Sequence, residues 1–132
     1  MLFFYESIDF FNISKRFMKI DNKINKRQIE FSNSLLLDSY NIESLFITKV
    51  DGQSMQPVIN DKALVVADLS QTVYIDKKIF LIYKDDKMWI KKAQEIKDEK
   101  YFVSINEKFS HLVYKENECR VIARVLLTFT NL

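Results

Sequence analysis

The chain has 132 residues, of which 48% are apolar and 29% are charged, and its 20 basic and 18 acidic side chains leave a net charge of +2. These values predict one soluble globular domain, or a domain with a tail, and they exclude a disordered chain. The single glycine excludes the glycine-rich loops that bind nucleotides, and the single cysteine and single histidine exclude multi-thiolate and multi-histidine metal centres. We therefore expect neither a metal nor an organic cofactor.

The sequence contains no segment suited to membrane insertion. No apolar run reaches the ~18 to 20 residues that would span a bilayer. The apolar N-terminus begins without Lys or Arg and is interrupted by Glu6 and Asp9, which is unlike a signal peptide. These features, together with the lone Cys119, favour a cytoplasmic protein with no membrane partner.

Residues 1–30 are predicted to form an N-terminal arm or linker. Within them, residues 15–27 hold six basic side chains against the single acidic Asp21, and the apolar positions follow no sustained period. We interpret this segment as a solvated connector, and the alternative is a basic arm that contacts phosphates or a protein partner. The helical period is weak except around residues 31–40 and, as a further candidate for a helix, near the N-terminus.

Residues 31–132 are predicted to form the folded domain. A cap at Ser32–Ser34 predicts a short helix that ends near Tyr40, followed by a turn at Asn41–Ser44. Segments rich in β-branched and aromatic residues come next, two of them joined by a charged hairpin turn at Lys84–Asp86. The predicted strands are Leu45–Val50, Ala63–Ala67, Lys78–Tyr83, Lys87–Lys92, Tyr101–Ile105 and Arg120–Phe129. This pattern favours a mostly β fold, with a coiled, partly barrel-like sheet and one short N-terminal helix.

The most informative segment is the turn that contains the only glycine and the only proline of the chain. Gly52 and Pro57 flank Ser54. Glycine permits backbone angles that are closed to other residues, and proline fixes its own φ. Together they would hold Ser54 exposed on a rigid turn directly after a strand, as a nucleophile requires. The alternative is an ordinary turn whose serine bonds its own backbone.

A serine nucleophile needs a base. His111 lies in a polar stretch and is interpreted as a surface residue. A lysine can replace histidine if burial lowers its pKa, and Lys91 and Lys92 are the candidates. On a strand, Lys91 shares one face with Trp89, which could desolvate its amine. Periodicity alone does not separate Lys91 from Lys92.

The segment Gly52-Gln53-Ser54-Met55-Gln56-Pro57 resembles the Gly-x-Ser-Met-x-Pro signature of the LexA-type self-cleaving repressors. That family also includes the lambda-type phage repressors and the UmuD-type mutagenesis proteins. The segment Met88-Trp89-Ile90-Lys91-Lys92 falls where the family has an apolar pair, the catalytic lysine and a second basic residue, with Lys91 37 residues after Ser54. Flanking segments are similar too, among them Ser104-Ile105-Asn106, so that the resemblance covers roughly residues 31–129.

The resemblance implies a mostly β, signal-peptidase-like fold in which Ser54 attacks a peptide bond of its own chain and Lys91 is the base. It also implies that backbone N–H groups near the nucleophile stabilise the oxyanion, with Gln53, Ser54 and Met55 as the local donors. Family members dimerise through this domain, and many bind DNA through an upstream helix-turn-helix. In LexA-like members, the RecA filament formed in the SOS response stimulates cleavage. We therefore expect a homodimer, with the RecA filament as a candidate co-protease.

The chain departs from the family pattern in three ways. Residues 1–30 hold no helix-turn-helix, so DNA binding would require one that this sequence lacks. The family usually cuts an Ala-Gly or Cys-Gly bond, whereas the only glycine here is Gly52, which follows Asp51. The segment Phe4–Ser14, about where the cleavage loop would lie, contains no such pair. The usual Asp-Gly-Asp is replaced by Asp61-Lys62-Ala63, which we expect to have little mechanistic effect because that turn is structural.

Two functions are therefore expected. The first is the C-terminal self-cleaving peptidase and dimerisation domain, with a Ser-Lys dyad, of a LexA-like or phage-repressor-like transcriptional regulator. The alternative is a catalytically idle dimerisation and sensing module of such a regulator, which lacks the usual Ala-Gly cleavage bond. A signal peptidase uses the same chemistry but needs a membrane anchor, and the sequence shows none.

Overall fold

The computed structural model describes residues 2–5, 26–29 and 42–130. Within these residues, nine strands form one sheet in the order β2-β1-β3-β4-β9-β5-β6-β7-β8. The strands are β1 (Leu2–Tyr5), β2 (Lys26–Ile29), β3 (Leu45–Lys49), β4 (Leu64–Asp68), β5 (Ile79–Lys84), β6 (Lys87–Ile96), β7 (Glu99–Val103), β8 (Tyr114–Lys115) and β9 (Arg120–Phe129). The seven strands β3–β9 pair antiparallel throughout, and β1 runs parallel to β3. The mostly β fold class is thereby confirmed, and within these ranges the sheet is open, with β2 and β8 at its edges.

The helical content of residues 42–130 is limited to three short 3₁₀ helices, at Ile42–Ser44, Glu107–Phe109 and Glu116–Glu118. The helix predicted over residues 31–40 lies outside the described residues. In the part of the chain that the structure describes, no helix is both long and apolar enough to cross a membrane.

All six strands predicted from the sequence overlap observed strands. The charged hairpin turn is also present, because Asp85 and Asp86 both adopt positive φ, at 53° and 62°, as a tight two-residue turn requires. The strand predicted to end at Lys92 instead runs on to Ile96. A second turn with positive φ, at Lys97 and Asp98, folds β7 back along it, and this pairing supports the extra residues.

The segment Leu2–Tyr5 forms a strand, so the helix indicated near the N-terminus is wrong there. Its run of Leu, Phe, Phe and Tyr is strand-prone, and β1 pairs with the edge of β3. Lys26 and Arg27 of the basic segment lie in β2, which pairs with β1, so their backbone is not a free connector. The rest of that segment, residues 15–25, lies outside the described residues.

Two parts of the hydrophobic core position the site described below. One packs beneath the turn that follows β3 and is formed by Val50, Met55, Ile59, Ala63 and Val65, with Ile90 and Ile105 against it. The other packs on the opposite face of β6 and is formed by Phe80, Ile82, Ala93 and Phe102, with Trp89 and Tyr114 against it. Strand β6 thus contributes side chains to both.

Candidate active site

The turn that carries Ser54 begins with a backbone conformation suited to glycine. Gly52 has a φ of +117°, and its N–H donates a hydrogen bond of 2.7 Å to Asp61 Oδ1. A Cβ added at Gly52 would meet no atom within 4 Å, so the requirement for glycine comes from the backbone angle and not from crowding. The predicted role of Gly52 in shaping this turn has a clear physical basis.

Ser54 is held between a buried neighbour and a tight local hydrogen-bond network. Met55 is 2% exposed and anchors the turn in the core, whereas Ser54 is half-buried. The N–H of Gln56 donates to the carbonyl of Gln53 at 3.2 Å, and the N–H of Ile59 donates to the carbonyl of Met55 at 2.9 Å. The turn therefore fixes the position of Ser54 and leaves its side chain partly accessible.

The backbone N–H groups near Ser54 are the candidate oxyanion donors. Within residues 42–130, the N–H groups of Gln53, Ser54 and Met55 donate none of the hydrogen bonds that the structure contains. Unpaired donors on a rigid turn are what an oxyanion site needs. Their predicted role is compatible with this geometry.

The segment Asp61-Lys62-Ala63, which departs from the family pattern, forms a turn that is hydrogen-bonded to Val50, just before the Ser54 turn. Lys62 adopts a φ of +67° at the position where the family resemblance has glycine. Its N–H donates to the carbonyl of Val50 at 3.0 Å, and the N–H of Val50 donates to the carbonyl of Ala63 at 2.8 Å. The Lys62 amine also forms an exposed ion pair with Asp51. The turn thus holds a lysine in the left-handed conformation.

Burial separates the two candidate lysines. Lys91 is 0% exposed, whereas Lys92, on the other face of β6, is partly exposed. The Nζ atom of Lys91 lies 5.3 Å from the ring centre of Trp89 and 5.8 Å from that of Tyr114. Burial lowers the pKa of Lys91 from 10.5 to about 8. At pH 7 such a pKa leaves about one amine in ten neutral, against about one in 3,000 for an ordinary lysine.

A short loop after β7 connects Lys91 with the Ser54 turn. Lys91 Nζ donates a hydrogen bond of 2.5 Å to Ser104 Oγ, and this bond goes to Ser104 rather than to Ser54. Two residues further on, the N–H of Asn106 donates to the carbonyl of Ser54 at 2.9 Å, and Asn106 Nδ2 donates to the carbonyl of Gln53 at 2.9 Å. Ser104 and Asn106 therefore place the two predicted residues, Ser54 and Lys91, at opposite ends of one three-residue link.

Comparison with known protein families gives a result that is independent of this geometry. The sequence model of the peptidase S24-like family matches residues 13–126 of the chain. The chain belongs to the peptidase S24-like family. This family comprises the C-terminal domains of LexA, UmuD and the phage repressors, so the resemblance inferred from the serine and lysine motifs is confirmed. A search of the curated proteins found no match.

Sequence reasoning missed what Ser104 and Asn106 do in this S24-like domain. In the sequence, both residues stand out only as part of the segment Ser104-Ile105-Asn106, which is similar to the family. The available signal was their position, because Ser104 and Asn106 are two polar residues directly after an apolar strand. Their partners come from elsewhere in the chain, and pairing of Lys92 with Val103 is what brings Lys91 opposite Ser104.

Two other reactive residue types lie away from the link. His111 is exposed and stacks on Phe109, with 6.5 Å between ring centres. Cys119 is partly buried in the core around Phe80, and burial raises the pKa of its thiol to about 11. Cys119 is therefore a protonated core residue at neutral pH.

Proposed function

We propose that this S24-like domain is a serine–lysine peptidase that cleaves a bond of its own chain, as the catalytic and dimerisation domain of a LexA-like or phage-repressor-like transcriptional regulator. The observation that carries the proposal is the environment of Lys91. Its amine is fully buried beside two aromatic rings, has a lowered pKa, and is tied by one loop to the turn of Ser54. A lysine in an ordinary structural role has no need of this environment.

The proposed mechanism uses Ser54 as nucleophile and the neutral amine of Lys91 as base. Lys91 accepts the Ser54 hydroxyl proton as Oγ attacks the scissile carbonyl carbon, and the tetrahedral oxyanion receives hydrogen bonds from N–H groups of the turn. The C–N bond then breaks as Lys91 returns the proton to the leaving amine. Water hydrolyses the resulting ester at Ser54 by the same steps in reverse order. For the first step, the Lys91 amine must reach Ser54 from its hydrogen bond with Ser104.

The proposed activity is tested by intact-mass time courses of the purified chain from pH 6 to pH 10. The wild type is compared with Ser54→Ala, with Lys91→Ala and with Lys92→Ala, which removes the neighbouring lysine from the other face of β6. We expect a fragment pair in the wild type and in Lys92→Ala, with a rate that rises with pH and reaches half its plateau near pH 8. Undiminished cleavage in Ser54→Ala or in Lys91→Ala would refute the mechanism.

A second function, an idle dimerisation and sensing module, is favoured by two observations. The only glycine is Gly52, so the chain contains no Ala-Gly or Cys-Gly bond. In addition, the amine of Lys91 is hydrogen-bonded to Ser104 and not to Ser54. This function predicts that no fragment appears at any pH and that Ser54→Ala leaves the association state in sedimentation unchanged. A fragment in the wild type alone rejects it.

We further propose that the domain forms a homodimer and that the RecA filament stimulates its cleavage, as in LexA-like members of the family. Sedimentation equilibrium tests the dimer directly, and a monomer at all concentrations would contradict it. Adding RecA assembled on single-stranded DNA with a nucleotide to the mass assay tests the second point. The expected result is faster cleavage at pH 7, where most of Lys91 is protonated, and an unchanged rate would reject this partner.

A further inference from the structure

Ser104 is the polar partner that the structure gives to the buried amine of Lys91. It lies just beyond the end of β7, where it is half-buried, and its Oγ accepts the hydrogen bond of 2.5 Å. Within residues 42–130, this is the hydrogen bond that Lys91 Nζ donates, and its other close neighbours are the rings of Trp89 and Tyr114. A four-carbon side chain with a single anchoring bond depends on that bond for its orientation.

We propose that Ser104 is a positioning residue that holds the Lys91 amine in place for proton transfer to and from Ser54. Its catalytic meaning rests on the proposed function, but its effect on Lys91 is independent of cleavage. Ser104 is itself held in place, because Asn106, two residues later, is fixed to the Ser54 turn by two hydrogen bonds of 2.9 Å. The same loop thus determines the position of the base and of the nucleophile turn.

The hydroxyl of Ser104 also stabilises one protonation state of Lys91 over the other. A hydrogen bond to an ammonium group is about twice as strong as one between neutral groups. Ser104 therefore favours the charged form, against the burial that favours the neutral form. Removing the hydroxyl must lower the pKa of Lys91 and free its amine at the same time.

The other titratable groups around Lys91 do not produce such an effect. Burial raises the pKa of Tyr114 and of Tyr74, and that of Cys119 to about 11, so these groups are neutral where Lys91 titrates. Lys84, whose amine lies 4.8 Å from the ring centre of Tyr114, forms an ion pair with Asp85. The hydrogen bond and charge of Asp85 raise the pKa of Lys84, so that Lys84 stays charged at the pH values near 8 where Lys91 titrates. A change at Ser104 leaves all four groups in the same state.

The decisive experiment measures Lys91 directly in the Ser54→Ala chain, which stays intact whatever the pH. The lysine Cε–Hε signals are followed by NMR from pH 6 to pH 11, and Lys91 is assigned by its loss in Lys91→Met. We expect Ser104→Ala to lower the Lys91 midpoint by about one pH unit, since a hydrogen bond to a charged group is lost. The two Hε protons, inequivalent when the amine is held, become equivalent. Ser104→Thr keeps the hydroxyl and restores both properties.

A matched control is Ser110→Ala, which removes an exposed serine hydroxyl from the same region and leaves both readouts unchanged. An unchanged or raised midpoint in Ser104→Ala, or Hε protons that stay inequivalent, would overturn the proposal. Thermal melting of each variant shows whether it is folded. If Ser104→Ala is unfolded, Ser104→Thr replaces it as the test, and a Lys91 midpoint or Hε pattern that differs from that of the parent overturns the proposal.

Cleavage supplies the second readout with Ser54 restored. Ser104→Ala should lower the plateau rate at least about tenfold, because misplacing a catalytic group is costly, while shifting the half-maximum to lower pH. A merely structural role lowers the rate without moving the half-maximum, and that result would reject positioning. If the wild type does not cleave but the NMR midpoint moves, the proposed function fails and the influence of Ser104 on Lys91 stands.

Discussion

Replacing Lys91 with methionine should make the domain more stable at neutral pH. Lys91 is fully buried, and its ammonium form is disfavoured there, which is why burial lowers its pKa from 10.5 to about 8. That difference corresponds to about 3 kcal/mol of unfavourable free energy in the folded state at neutral pH. Methionine fills a similar volume without a charge but loses the hydrogen bond to Ser104, which offsets about 1 kcal/mol. The expected net gain is about 2 kcal/mol at pH 7.

The stability difference between Lys91→Met and its parent should depend on pH. Between pH 8 and pH 10.5 the unfolded chain binds one more proton at Lys91 than the folded chain, so the stability of the parent rises with pH across that window. Lys91→Met lacks this rise. Its advantage should therefore be full up to about pH 7, shrink by up to about 1.4 kcal/mol per pH unit above pH 8, and vanish near pH 9.5, so that the parent is the more stable by about 1 kcal/mol at pH 10.5.

The assay is urea unfolding followed by circular dichroism at pH 6.5 to 10.5, in the Ser54→Ala background so that the chain remains intact. Lys92→Met is the matched control, because Lys92 lies on the opposite face of the same strand and is partly exposed. It should change the free energy of unfolding by less than about 1 kcal/mol at every pH. A Lys91→Met chain that is less stable than its parent at pH 7, or a gain that stays constant to pH 10, would refute the reasoning.

Three further substitutions test the turns around Ser54. Gly52→Ala should destabilise the domain by at least about 1 kcal/mol in urea unfolding, because φ is +117° there; an unchanged midpoint would contradict the backbone argument. Lys62→Gly should leave stability unchanged or raise it by up to about 1 kcal/mol, since it relieves a φ of +67° and loses only an exposed ion pair. A lower melting temperature would show that the ion pair matters more. Asn106→Ser keeps an N-cap for the helix Glu107–Phe109 but cannot reach the carbonyl of Gln53. It should slow cleavage with little change in melting temperature, and a wild-type rate would exclude Asn106 from the link.

The strands were predictable because their local pattern agrees with their environment. Leu64–Asp68 and Ile79–Lys84 are short apolar segments bounded by turn residues, and each contains a run of at least three consecutive buried residues. The hairpin at Asp85 and Asp86 follows from turn chemistry alone. The N-terminal strand Leu2–Tyr5 was not predictable in this way, because its partner is the edge of a strand more than forty residues away.

The candidate site was predictable only in part. The Ser54 turn is formed by residues that are adjacent in the sequence, so its glycine and proline predict it directly. The choice between Lys91 and Lys92 depends on which face of β6 is covered, and the covering rings of Trp89 and Tyr114 come from different strands. The role of Ser104 was still harder to predict, because its hydrogen bond with Lys91 forms only when β7 pairs with β6 in the observed register.

The sheet order also determines when the molecule can acquire its candidate site. Strands β3 and β4 flank the Ser54 turn, and Lys91 lies on β6, which pairs with β5. In the sheet, β9 lies between β4 and β5 and joins these two pairs of strands. Strand β9 is the last strand of the described chain, and synthesis proceeds from the N-terminus. A chain emerging from the ribosome has both halves before it has the strand that joins them. The Ser54 turn and the strand of Lys91 therefore become parts of one sheet only after Phe129 has been synthesised.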